Sequence, residues 1–140
     1  MLVVDASVAF KWVVQEPDSA LARGLIGADR LGGPELVLAE VANALWAAAR
    51  RGEISPAQAT RGVADLPTLF DQLFPLAPLM AAAFSIAREL DHPVYDCVYL
   101  ALCESGAATL VTADGRFLRR IAGTSRAAYV RDLASFGTTP

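Results

Sequence analysis

The feature that most constrains the fold of this chain is the alternation of short apolar runs with longer segments of helical periodicity. Leu2–Val4 and Thr109–Thr112 are brief runs rich in β-branched residues, and each precedes an acid and then a segment with helical character. Strands buried on both faces have such compositions, and their alternation with helices is typical of a parallel sheet covered by helices. The sequence therefore predicts an α/β fold with a short central parallel sheet flanked by helices.

Further elements follow from apolar spacing, capping residues and helix breakers. Helices are predicted over Ala6–Val13, from a cap at Asp18 to about Ile26, over Val37–Arg51, from the Ser55 cap to about Asp65, over Leu79–Leu90 and Val94–Glu104, and after Asp114; strands are predicted within Leu69–Leu76 and at Ala128–Val130. Gly32-Gly33-Pro34 is predicted to be a break between secondary-structure elements. A length of 140 residues fits one domain covering 1–140.

Composition narrows the cellular setting. No stretch approaches the roughly 18 charge-free apolar residues that a membrane helix needs, and the start has neither a basic region nor a cleavage site, so a cytoplasmic protein is predicted. Cys97 and Cys103 lie six residues apart on one predicted helix, too far to bridge, and are interpreted as buried thiols. The net charge of −3 argues against a large non-specific grip on nucleic acid.

Four carboxylates stand alone in apolar stretches, at Asp5, Glu40, Asp96 and Asp114. An ionised carboxylate in such surroundings is costly unless it is paired or binds a metal ion. Asp5 and Asp114 each follow a predicted strand and precede a helix, so a parallel sheet would bring both to the same edge. Glu40 and Asp96 lie inside predicted helices, with no cation within reach along either helix.

Simpler interpretations exist for each acid. Asp5 and Asp114 could be helix N-caps, and Glu40 and Asp96 could form buried ion pairs with arginine. Taken together, four lone acids favour a shared positive ion. Oxygen ligands without His or Cys select Mg²⁺ or Mn²⁺, and such ions support hydrolysis of phosphate esters. The chain lacks the glycine-rich phosphate-binding loop of an NTPase.

Four segments carry a resemblance to a known family. They read Val-Val-Asp5-Ala-Ser7, Ala-Glu40-Val-Ala-Asn43-Ala-Leu, Tyr95-Asp96-Cys-Val-Tyr-Leu-Ala-Leu and Val-Thr112-Ala-Asp114-Gly-Arg-Phe117. In this order and spacing they resemble a PIN domain, and within that superfamily the VapC-type toxins of bacterial and archaeal toxin–antitoxin pairs. The resemblance covers nearly the whole chain and implies a PIN-like α/β/α sandwich.

The resemblance also implies a function. It is that of an endoribonuclease dependent on Mg²⁺ or Mn²⁺, forming a homodimer and neutralised by a small antitoxin protein. Asp5, Glu40, Asp96 and Asp114 match the family's acidic site, with Asp5 and Asp96 expected as the most direct metal ligands. Asp114 would share a metal ion or hold its water, and Glu40 would act as ligand or general base.

Supporting positions are expected around the acids. Ser7 and Thr112 match residues that sustain the family's site through hydrogen bonds, and Asn43 shares the helix face of Glu40. His92, the only histidine, is interpreted as structural or solvent-facing. Trp12 and Trp46 are interpreted as core or dimer contacts.

A basic cluster follows the fourth acid directly. Arg116, Arg119 and Arg120 could bind RNA phosphates, dock an acidic antitoxin segment or form a solvated helix face.

Two other functions are compatible with parts of the sequence. A haloacid-dehalogenase phosphatase also begins with a strand and an Asp, but it needs a second Asp where Ser7 stands, and Lys11 is the only lysine. A PIN-like scaffold without activity would be expected to have lost an acid, whereas all four are present.

Overall fold

The protein, seen in a computed structural model that describes residues 1–137, is built on one parallel sheet. Its strands are β1 (Leu2–Val4), β2 (Leu31–Pro34), β3 (Gln72–Phe74), β4 (Thr109–Thr112) and β5 (Val130–Asp132). They lie in the order β3-β2-β1-β4-β5, and every neighbouring pair is parallel. The predicted α/β fold with a short central parallel sheet is confirmed.

Seven α-helices surround this sheet in the described part of the chain. They are α1 (Ala6–Val13), α2 (Ser19–Gly24), α3 (Leu36–Arg50), α4 (Pro56–Asp65), α5 (Met80–Leu90), α6 (Val94–Gly106) and α7 (Gly115–Ile121). Successive strand residues face opposite sides of a sheet, and the neighbours Val3 and Val4, like Leu110 and Val111, are all buried. Helices therefore cover both faces of the two central strands. None of the helices within residues 1–137 could span a membrane.

Helix α6 is the most buried of the helices. Seven consecutive residues, Cys97 to Cys103, are inaccessible to solvent. Burial raises the pKa of the Cys97 thiol to about 11 and that of Cys103 to about 12. Both thiols therefore stay protonated at neutral pH, in agreement with the predicted buried thiols. Because α6 leads into the start of β4, its own first turn lies at the opposite edge of the sheet, where the strands end.

The prediction of a break between secondary-structure elements at Gly32-Gly33-Pro34 is wrong, because these residues belong to strand β2. The glycines serve close packing here: a Cβ on Gly33 would lie 3.1 Å from the Phe70 ring and 3.5 Å from a Val37 methyl. Pro34 is the last residue of the strand and pairs in register with Phe74 of β3. These residues, which are common in turns, thus occur here because the close packing around the strand requires small side chains.

Other boundaries differ by a few residues. Asp18 has a left-handed backbone (φ 64°) and makes no capping hydrogen bond, so α2 begins at Ser19 without the predicted cap. Ser55 does cap α4, its Oγ accepting the Gln58 N–H at 3.1 Å. The strand predicted within Leu69–Leu76 is β3, and the predicted edge strand begins two residues late, because 125–129 form a 3₁₀ turn.

The two tryptophans have different environments. Trp12 is buried, and its indole N–H donates to the Ala22 carbonyl at 2.9 Å, so it is a core residue. Trp46 lies on α3 with 58% of its surface exposed, beneath the guanidinium of Arg50. It is therefore not part of the core.

Candidate active site

Asp5 follows β1 directly and lies at the centre of the site. It caps α1, and its Oδ1 accepts hydrogen bonds from the Ser7 hydroxyl at 2.5 Å and the Val8 N–H at 3.2 Å. Its Oδ2 accepts a bond from the Thr112 hydroxyl. Burial nevertheless raises the pKa of Asp5 to about 6 against the effect of these donors. The capping role and a site role therefore coexist in this residue.

The hydroxyls of Ser7 and Thr112 join the ends of β1 and β4. Ser7 Oγ accepts the Ala113 N–H at 2.9 Å, and Thr112 Oγ1 accepts the Asp114 N–H at 3.0 Å. The structure thus places both predicted supporting residues in contact with Asp5. Parallel strands end at a common edge, and here β1 lies between β2 and β4, where the chain reverses its direction of winding.

Asp114 lies at the same edge, beyond β4. It caps α7, with its Oδ1 accepting the N–H groups of Arg116 at 2.9 Å and Phe117 at 3.2 Å. Its second oxygen has no hydrogen-bond donor within residues 1–137. As with Asp5, the N-cap interpretation is correct, but capping involves only one of the two carboxylate oxygens.

Glu40 enters the site from the second turn of α3. Its Oε1 accepts a hydrogen bond from the phenol of Tyr99 at 2.6 Å. Burial raises the pKa of Glu40, the Tyr99 bond lowers it, and the charge of Asp96 raises it further. Burial and the charge of Glu40 raise the pKa of Tyr99 far above its usual range, so the phenol remains a donor. Sequence reasoning missed Tyr99 as a site residue, although it lies three residues after Asp96 on the same helix face.

Asp96 occupies the first turn of α6, and its side-chain partner is His92, which was interpreted from the sequence as structural or solvent-facing. His92 Nε2 lies 2.6 Å from Asp96 Oδ2. The side chain of His92 is only 11% exposed, and its ring contacts Phe117 with centroids 5.3 Å apart. His92 lies before α6, so the prediction that no cation lies within reach along the helix is not contradicted, but Asp96 does have a side-chain partner nearby in sequence. The spacing of four residues was a usable signal, but His92 precedes Pro93 and lies outside the helix.

Asn43 is not part of this group. Its side chain is exposed and makes no hydrogen bond with the described residues. The buried stripe of α3 runs through Val37, Val41, Leu45 and Ala48, and position 43 lies off that stripe.

A cleft of about 660 Å³ opens beside the carboxylates. It is lined by Asp91, His92, Pro93, Asp96, Asp114, Arg116, Arg119 and Arg120. Two of the four acids thus face the same solvent-filled space as the arginine cluster.

The chemistry of these groups fits a hard divalent cation. Asp96 raises the pKa of both Asp5 and Glu40, so negative charges gather without an intervening cation. Glu40, Asp96 and Asp114 each keep one carboxylate oxygen without a donor among residues 1–137. Among residues 1–137, no three His, Cys, Asp or Glu side chains lie close enough together to hold a metal ion. Mg²⁺ keeps several waters and takes only one or two carboxylates directly.

Fold and site together define a carboxylate-centred α/β domain, and comparison with known proteins identifies its class. The family model of the PIN domain matches residues 2–123. The chain therefore belongs to the PIN-domain family. This membership excludes the haloacid-dehalogenase alternative.

The relatives of the chain include VapC ribonucleases. It is 35% identical over 116 residues to ribonuclease VapC3 of Pyrobaculum aerophilum, covering 81% of this chain and 88% of the relative. Ribonuclease VapC9 of Mycobacterium tuberculosis is also 35% identical over 116 residues, covering 83% of this chain and 87% of the relative.

Solved structures share the fold. A crystal structure of a Pyrobaculum aerophilum protein superposes with a TM-score of 0.69 at 25% identity, covering 99% of this chain and 90% of the other. A toxin–antitoxin complex from Klebsiella pneumoniae gives a TM-score of 0.67 at 13% identity, covering 95% and 98%. The predicted PIN-like architecture is thus confirmed.

Proposed function

We propose that this chain is a metal-dependent endoribonuclease, the toxin of a toxin–antitoxin pair, and that it hydrolyses RNA phosphodiester bonds. The observation that carries the proposal is the grouping of acids around Asp96, which raises the pKa of Asp5 and Glu40 and lines one cleft with Asp114. Its similarity to VapC ribonucleases over four-fifths of the chain gives the reaction class.

Asp5, Asp96 and Asp114 are the residues that would hold Mg²⁺ or Mn²⁺, with Glu40 as a further ligand or as general base. A bound divalent ion supplies charge stabilisation to a phosphoryl oxygen and activates water for attack. The chain itself supplies rigidity: three donors fix the Asp5 carboxylate, and backbone N–H groups fix one oxygen of Asp114. Tyr99 holds one oxygen of Glu40 and leaves the other open to accept a proton.

The proposed partners are a small antitoxin and a second copy of the chain, in the cytoplasm. Two structural neighbours are the VapBC2 complex of Rickettsia felis and the Klebsiella pneumoniae complex, each a toxin with its antitoxin. An apolar groove between α3 and α4 exposes Trp46 and Val63, and an exposed apolar patch fits a protein partner. Size-exclusion chromatography with light scattering, with and without the co-expressed neighbouring small reading frame, tests both partners.

The decisive test of the proposed function is cleavage of RNA. Purified protein is incubated with structured and unstructured RNA in Mg²⁺, in Mn²⁺ and in EDTA. Cleavage that requires the metal ion supports the proposal. Absence of both cleavage and Mn²⁺ binding, the latter measured by calorimetry, would leave the inactive scaffold as the remaining interpretation.

Replacing Tyr99 by Phe is expected to lower cleavage about tenfold and to move the acidic limb of the pH–rate profile to higher pH. Without the phenol, Glu40 loses the hydrogen bond that lowers its pKa, so the pKa of Glu40 rises further. Glu40 must be ionised to act either as a metal ligand or as a general base. The profile of kcat/KM between about pH 5 and 8 measures this shift. Tyr129→Phe, in the 3₁₀ turn before β5, is the matched control. An unchanged acidic limb in Tyr99→Phe would show that Glu40 does not titrate in catalysis.

A further inference from the structure

The cleft beside Asp96 and Asp114 continues past the carboxylates, and this continuation has no role in the chemistry described so far. We infer that a single strand of RNA lies along it, with phosphates beside the scissile bond bound by Arg116 and Arg119 and a neighbouring base stacked on Phe84. The inference rests on the proposed function and adds to it the path of the substrate.

The arginines supply the first step of the argument. Arg120 is already engaged, since its guanidinium donates to the Asp91 carbonyl at 2.8 Å and lies 3.8 Å from the Asp91 carboxylate. Arg116 and Arg119 have no ion-pair partner anywhere in residues 1–137. Both line the cleft, although carboxylates with free oxygens lie in the same cleft. Two uncompensated guanidinium groups next to a centre for phosphate chemistry match the charge of a phosphodiester chain.

Arg119 is exposed, and its guanidinium lies along the first turn of α7. One of its terminal nitrogens lies 3.2 Å from the point that a Cβ on Gly115 would occupy. Because Gly115 directly follows Asp114 and both Asp114 and Arg119 line the cleft, a solvent-accessible cation lies beside this carboxylate.

The path then crosses the turn between α5 and α6. A second cavity of about 440 Å³ shares Asp91, His92 and Pro93 with the first, so the two lie side by side. Its outer wall is Phe84 and Arg88, four residues apart on one face of α5. The Phe84 side chain is 60% exposed. An exposed ring beside cations is the usual means of holding an unpaired base and its phosphate.

An acidic protein segment fits this surface less well. Such a segment needs cations along its whole length, whereas the path combines guanidinium groups with an aromatic ring and passes the carboxylates of Asp91, Asp96 and Asp114. A nucleotide chain combines charge and flat apolar surface in the same way. The combination therefore favours single-stranded RNA over an acidic peptide.

The test separates binding from cleavage. Fluorescence anisotropy with an end-labelled single-stranded RNA of mixed sequence, about twelve nucleotides long and thus within the range of known single-strand sites, is followed in EDTA over a series of salt concentrations. Arg116→Gln and Arg119→Gln are expected to weaken binding several-fold and to reduce the slope of log K against log salt by about 0.7 each. Phe84→Leu is expected to weaken binding about fivefold or more without changing the slope. Arg61→Gln, an exposed arginine on α4, is the matched control and should behave as the unchanged protein.

The outcomes distinguish this inference from the proposed function. Unchanged affinity and slope in both arginine variants, in a protein that still cleaves RNA, would overturn the path and leave the nuclease intact. Absence of RNA binding and cleavage in the unchanged protein would overturn both. Arginine variants that lose the antitoxin but keep RNA would make the cleft a protein-docking site. A Phe84→Leu variant that loses dimerisation and not RNA affinity would assign the ring to an interface between copies.

Discussion

Asp96→Asn is expected to reduce RNA cleavage about a thousandfold while leaving the fold intact. The side chain is partly exposed at the start of α6, and its amide replacement preserves volume and one acceptor. The substitution removes a negative charge that interacts with Asp5 and Glu40, since Asp96 raises the pKa of each. Loss of one charged group at a site of developing transition-state charge costs about 10²–10³ in rate, and loss of a metal ligand adds to that cost.

Three measurements check this result. Single-turnover cleavage gives the rate, titration calorimetry with Mn²⁺ gives the metal affinity, and the far-ultraviolet circular dichroism spectrum verifies the fold. Asp65→Asn makes the same chemical change on α4, where Asp65 is exposed and paired with Arg61 at 3.6 Å. It should retain full activity and metal binding. An Asp96→Asn protein that still cleaves at the original rate would place the active site elsewhere.

Asp5→Asn is expected to stabilise the metal-free protein at neutral pH while removing its activity. The pKa of Asp5 is raised from 3.8 to about 6 by burial, so the folded state disfavours the ionised form. Stability from this group is fully present below pH 3.8 and is lost as the pH rises through about 6. At pH 7 the buried charge therefore costs about 3 kcal/mol. The asparagine avoids this cost, but it replaces one accepting oxygen with a donor, and the lost hydrogen bond destabilises the variant by about 1 kcal/mol.

The net gain of about 1–2 kcal/mol is measured by urea unfolding in EDTA at pH 7, and it should shrink as the pH falls below about 5. Asp114→Asn is the matched control, because Asp114 is also an N-cap beyond a strand but is only half-buried. Adding Mn²⁺ should make the original protein more stable than Asp5→Asn, because only the protein with Asp5 is stabilised by binding the metal ion. A variant less stable than the original protein at pH 7 in EDTA would show that the Asp5 carboxylate is not strained by burial.

The sequence allowed prediction of the sheet and of four acids at its edge, because a charge in an apolar run stands out and strand ends converge in parallel sheets. It did not reveal the contact of Tyr99 with Glu40, which lie 59 positions apart and meet only when α6 packs near α3. The contact of His92 with Asp96 was hidden for a local reason, since His92 lies outside α6 and Pro93 separates it from the first residue of that helix. The strand at Gly32 and Gly33 was missed because local propensity suggested a turn, whereas tertiary burial decided the outcome.

The hydrogen bond from Thr112 to Asp5 joins residues 107 positions apart in the chain. Closing so long a loop is slow and comes late, because the entropy of closure is lost before the contact is gained. During translation the first strand and its aspartate must therefore wait for β4, which is made near the end of synthesis. A nascent chain that has not yet released β4 from the ribosome has no assembled acid centre. The order of elements along the gene thus delays assembly of the acid centre until almost the whole chain has been made.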